Sequence, residues 1–117
     1  MSIEPDVTTT TDWLTYADAA SQLGVDITVI RQLVNDGELI SLRIDSVPKI
    51  AAQLIVNGEV SKYLRGIITS LRDGGFSDEE ALRWLLAPDD SLGGSAALGL
   101  HKSLHREVSR RAQALAF

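Results

Sequence analysis

The chain has 117 residues, 44% of them apolar, a formal net charge of −5 and no cysteine. That is enough for one domain with an ordinary core. It excludes a disulfide framework, a zinc–thiolate site and a thiol nucleophile, and the acidic balance argues against strong sequence-independent binding to nucleic acid.

The charge is unevenly distributed. Residues 1–50 carry eight acidic side chains (Glu4, Asp6, Asp12, Asp18, Asp26, Asp36, Glu38, Asp45) against Arg31, Arg43 and Lys49, whereas residues 51–117 carry eight of each sign. No apolar run approaches bilayer length, and "MSIEPDVTTTTDW" lacks the charged-then-apolar order of a secretion signal, so a soluble cytoplasmic protein without membrane association is expected. Residues 1–12 are expected to form a disordered tail, because Glu4-Pro5-Asp6 and the run Thr8-Thr9-Thr10-Thr11 offer nothing to bury.

A first helix is predicted from near Thr15, which can cap it, with Asp18 in its first turn and Ala19, Ala20 and Leu23 on a narrow apolar face. Gly24 ends it, Val25 is expected to pack inward, and Asp26 caps a second helix from Ile27 to about Asn35. That helix turns Ile27, Ile30, Leu33 and Val34 to the core, and Asp36-Gly37 closes it. Leu39, Ile40, Leu42 and Ile44 read as strand, with Asp45-Ser46 as a turn into a short wing whose return Pro48 restricts to an edge or ends. Residues 49–56 read equally as helix or strand, and Asn57-Gly58 marks a turn.

The second half is helical. Ser61 is expected to cap a helix burying Leu64, Ile67, Ile68 and Leu71, stopped at Gly74-Gly75. Ser77 to Glu80 spells a capping box for a helix burying Ala81, Leu82, Leu85 and Leu86, with Pro88 beyond its end. A loop follows, with one helical turn around Ala96–Leu98. A last helix from about Ser103 to Ala116 carries the stripe Leu104, Val108, Ala112 and Leu115, and Glu107 is placed to pair with Arg111.

Nothing in the sequence supports an enzyme or a cofactor. His101 and His105 stand four apart, but no third ligand completes a metal site, and Asp78, Glu79 and Glu80 are explained by capping a helix N-terminus. The glycines match no phosphate loop, and no serine sits in a nucleophile elbow. The helix–Gly turn–helix pattern from Tyr16 to Leu39 is the stronger feature. Its second helix would enter a major groove with Thr28, Arg31, Gln32 and Asn35, where Arg can pair with guanine and Gln or Asn with adenine. Arg43 of the wing, with Lys49, would reach phosphate or the minor groove.

The segments "LTYADAASQLGV", "VNDGELISLR", "LRDGGFSDEEALRWLLAPDDSL" and "REVSRRAQALAF" resemble a small actinobacterial family of winged helix-turn-helix DNA-binding proteins. The resemblance spans about residues 13–117. It implies a single mainly α domain, with a winged helix-turn-helix over 13–56 and a C-terminal three-helix unit over 60–117. It also implies a regulatory protein that binds double-stranded DNA and is phosphorylated on a tail threonine by a serine/threonine protein kinase, as the family's mycobacterial member is. Thr8, Thr9, Thr10 and Thr11 are the candidates by location. A shorter second resemblance, "RWLLAPDDSLGGSAAL", is similar to the toxin-binding domain of one class of antitoxins and implies the alternative: a protein-interaction module acting through its C-terminal helices.

Overall fold

In a computed structural model the described residues are 12–116. The fold is mainly helical with a small antiparallel sheet. Strand β1 (Trp13–Thr15) leads into α1 (Tyr16–Leu23) and α2 (Ile27–Asn35). The wing strands β2 (Leu42–Ile44) and β3 (Val47–Ala51) follow, then a 3-10 turn over Ala52–Leu54 and the two-residue strands β4 (Ile55–Val56) and β5 (Glu59–Val60). The C-terminal unit is α3 (Leu64–Asp73), α4 (Asp78–Leu86), a 3-10 turn at Asp90–Leu92, the short α5 (Ala96–Gly99) and α6 (His105–Ala116).

Capping chemistry places the helices as expected. Thr15 Oγ1 accepts from the Asp18 amide at 3.0 Å, and Asp26 Oδ1 accepts from the Thr28 amide at 3.0 Å. Gly24 and Gly37 both take the left-handed conformation (φ 68° and 74°). The amides after them reach back five residues, Val25 to Ala20 and Glu38 to Leu33, so α1 and α2 end in the same closed turn. Ala19 and Ala20 on α1 and Ile30 on α2 are buried where the two helices meet. The capping box at the start of α4 is reciprocal: Glu80 N–H donates to Ser77 Oγ (3.1 Å) and Ser77 N–H to Glu80 Oε1 (2.9 Å).

The sheet order is β1-β3-β2, so β3, with Pro48 in it, is the central strand rather than an edge. The wing closes on Asp45 and Ser46, both at positive φ (53° and 67°), as a two-residue hairpin turn requires. Hydrogen-bonded and non-bonded pairs alternate from the closing pair Ile44–Val47, which puts Pro48 opposite Arg43 at a non-bonded site. Its missing N–H lies on the other side, where β1 ends at the Thr15–Lys49 pair, so no ladder bond is lost.

Other expectations are corrected by packing. Val25 is 37% exposed, because the closed turn after Gly24 carries it out of the α1–α2 seam. Leu39 and Ile40 are fully buried but precede the strand. Residues 49–56 are neither one helix nor one strand, but strand, 3-10 turn and strand. Helix α3 starts three residues after Ser61, whose Oγ instead accepts from the Tyr63 amide (3.2 Å). Helix α6 begins at His105, since Ser103 stands at φ 64°, and Leu115 is 51% exposed because the stripe leaves the core in the last turn. The C-terminal unit has the three expected helices, α3, α4 and α6, and the expected single turn is α5.

One continuous core runs through both halves, from Ala19, Ile30 and Ile50 through Leu54 and Leu64 to Leu85, Leu92 and Val108. Ser95, 1% exposed, donates through Oγ to Gln53 Oε1 at 2.6 Å, tying the 3-10 turn after β3 to the cap of α5. Among the described residues no helix is long and apolar enough to cross a membrane.

Candidate nucleic-acid interface

Helix α2 presents Thr28, Arg31, Gln32 and Asn35 to solvent. At about 100° per residue the four fall within roughly 100° of one another around the helix, so they share one face, opposite the buried Ile30. Two of them are engaged inside the protein. Thr28 donates to Asp26 Oδ1 through its amide and, at 3.1 Å, through its hydroxyl, and Gln32 Nε2 donates to Asp36 Oδ1 at 2.9 Å. Arg31 makes no ion pair among the described residues, and Asn35 no side-chain hydrogen bond.

The flanks are acidic. Asp26 is held below the usual carboxylate range, first by the Thr28 amide bond, then by the Thr28 hydroxyl and the nearby Arg31. It therefore stays ionised at the N-terminal edge of this face, with Asp36 at the other edge. The exposed face of α2 thus carries one cation, Arg31, between two carboxylates, a balance that gives little charge-driven attraction for phosphate.

Arg43 is exposed on β2, and its Nη2 donates to the Ser46 carbonyl at 3.1 Å, bracing the wing turn. Lys49 does not join it. Arg43 shares a face with its partner Pro48, and successive strand residues alternate faces, so half-buried Lys49 leaves the sheet on the opposite side, between Leu42 and Thr15. The structure thus keeps four predicted residues together on α2, adds Arg43 at the wing, and separates Lys49 from Arg43.

Sequence reasoning passed over two exposed apolar side chains on this half of the chain, Val29 and Val47, 39% and 43% exposed, and expected a third, Val25, to be buried. Val29 was legible, because it falls outside the Ile27–Ile30–Leu33–Val34 phase. Thr8, Thr9, Thr10 and Thr11 lie outside the described residues.

The two histidines have separate surroundings. His101 precedes α6, and burial pushes its pKa down, against a bond that its ring donates to the Leu54 backbone carbonyl and the charge of Glu59. His105 opens α6 with its ring stacked on Tyr63 at 3.8 Å. Among the described residues no three His, Cys, Asp or Glu side chains are grouped to hold a metal. The segment resembling an antitoxin module places Leu85, Leu92, Ala96 and Ala97 in this chain's own core.

Known proteins similar in sequence and shape match both halves of the chain. The family model described as the winged helix-turn-helix domain of DNA-binding protein Rv2175c matches residues 3–55, and that of the Rv2175c C-terminal domain of unknown function matches residues 61–116. The DNA-binding protein Rv2175c of Mycobacterium tuberculosis is 38% identical over 111 residues, covering 84% of this chain and 76% of that protein. The NMR structure of Rv2175c superposes with a TM-score of 0.81 at 31% identity, over 100% of this chain and 87% of that one. The chain belongs to the Rv2175c family of winged helix-turn-helix proteins.

Proposed function

We propose that this protein binds double-stranded DNA as a regulator. Helix α2 reads the major groove through Arg31 and Asn35, with Thr28 and Gln32 recruited when their bonds to Asp26 and Asp36 open. Arg43 of the wing contacts phosphate or the minor groove, and Lys49 supports binding only from the far face of the sheet. The observation that carries this reading is the capped α1–α2 pair, which turns an unobstructed polar face, Arg31 at its centre, away from a buried Ile30. The name and structure of the mycobacterial relative support it.

Phosphorylation of the threonine run by a serine/threonine kinase is proposed as the control. A phosphate adds a charge of roughly −1.5 to −2 and opposes an approaching DNA backbone.

Fluorescence anisotropy with a labelled random duplex tests the reading. Binding is expected at low salt, weakening as salt rises, and the Arg31→Ala/Arg43→Ala double variant is expected to bind about tenfold more weakly with a shallower salt slope. A chain that binds no duplex at low salt, or a double variant that binds as tightly as the parent, rules the reading out.

A further inference from the structure

The C-terminal unit, whose family model carries no function, holds a cationic groove. It runs between α3 and α6, has a volume of about 510 Å³, and is lined by Lys62, Arg106 and Arg110 with the hydroxyls of Ser70 and Ser109. No carboxylate is among its lining residues, on a chain of net charge −5. Gly66 forms part of its wall: a Cβ built there would meet nothing within 4 Å, so the space above it is open. A volume of this size falls in the range of small-molecule sites, roughly 300–1,000 Å³.

The cations are held in place by different means. Arg110 is braced by Glu107, to which its Nε donates at 3.1 Å. Lys62 Nζ stands 5.3 Å over the Tyr63 ring, whose other partner is the stacked His105. Neither Lys62 nor Arg106 makes an ion pair among the described residues, so two positive charges are uncompensated at the rim.

The groove is set apart from α2. At about 100° per residue, Arg72 lies about 160° around α3 from the groove-lining Ser70 and about 120° from Gly66. Arg72 Nη1 sits 3.6 Å from where a Gly37 Cβ would be, which puts the end of α2 on that other flank.

The geometry points to a second binding site here, for a phosphate-bearing small molecule: Lys62, Arg106 and Arg110 take the phosphate oxygens, and Ser70 and Ser109 donate hydroxyl bonds beneath them. The test is an amide NMR titration of the full chain with inorganic pyrophosphate at constant ionic strength, with a short DNA duplex titrated separately. Pyrophosphate is expected to give saturable shifts at Gly66, Ser70, Arg106 and Ser109 and none across 27–35. Lys62→Glu/Arg106→Glu should raise the midpoint roughly tenfold or more. Gly66→Leu, which fills the open space without changing charge, should weaken binding similarly while circular dichroism shows an unchanged fold. The assignment is overturned if pyrophosphate gives no saturable shift in the groove, if these variants leave the midpoint unchanged, or if the duplex alone moves the groove amides. That last result would make the groove a DNA contact instead.

Discussion

At the scale of single residues, the proposed reading of DNA by α2 makes its acidic flanks the control on affinity. Asp36 occupies the Gln32 amide and, in that reading, opposes an approaching phosphate. Asp36→Asn is expected to raise duplex affinity about two- to fivefold, read by anisotropy at low salt, with the gain shrinking as salt screens the charge. An unchanged or weaker affinity would show that Asp36 does not face the DNA. A second carboxylate sets acid stability. Glu107 is held down at about 2 from 4.5, by the Arg110 bonds first and then the Arg111 bond. Its folded value lies below its unfolded one. Its contribution is therefore complete above about pH 4.5 and is lost as pH falls toward about 2. Glu107→Gln should flatten the acid limb of the stability–pH curve in that window, followed by thermal midpoints from pH 2 to 6. An acid limb as steep as the parent's would mean that the Arg110 and Arg111 pairs are not held in solution.

At the scale of elements, two helix positions separate packing from propensity. A Cβ at Gly99 in α5 would come within 2.8 Å of the Leu92 carbonyl and 3.3 Å of Val108 Cγ2, and the backbone there cannot yield as a side chain would. Gly99→Ala should cost about 1–3 kcal/mol in urea unfolding, whereas Gly66→Ala, into open space in the first turn of α3, should add up to about 1 kcal/mol. Equal and opposite signs to these would contradict the α5–α6 packing described. The same local physics explains what was legible in the sequence. Thr15, Asp26 and Ser77 announce their helices because a cap acts within three residues, and the Asp45-Ser46 and Asn57-Gly58 turns do so because their backbones need positive φ. Strand β1 was not legible: Trp-Leu-Thr has no periodicity of its own and becomes a strand only by pairing with Lys49–Ala51, more than thirty residues later. On α2 the exposed face was legible from helical phase, but the Gln32–Asp36 bond and the split between Arg43 and Lys49 depend on rotamers and sheet register, which spacing alone does not encode.

At the scale of the whole molecule, the two family models meet between residues 55 and 61, yet the core and the buried Ser95–Gln53 bond cross that point. The radius of gyration, 13.5 Å, is close to the roughly 13 Å of one compact domain this size. We therefore propose that residues 13–117 unfold as one unit. Trp13 reports β1 and Trp84 reports α4, so single-tryptophan variants (Trp84→Phe and Trp13→Phe) should give coincident urea midpoints, once each is corrected to its own circular-dichroism midpoint. Separated fluorescence and circular-dichroism transitions within either variant would show two independent domains joined by the β4–β5 hairpin. For DNA recognition itself, the most direct measurement is an amide NMR titration of the full chain with duplex DNA. Saturable shifts concentrated in α2 and in the wing around Arg43 are the expected result; shifts confined to α3–α6, or none at saturating duplex, would contradict recognition by the helix-turn-helix.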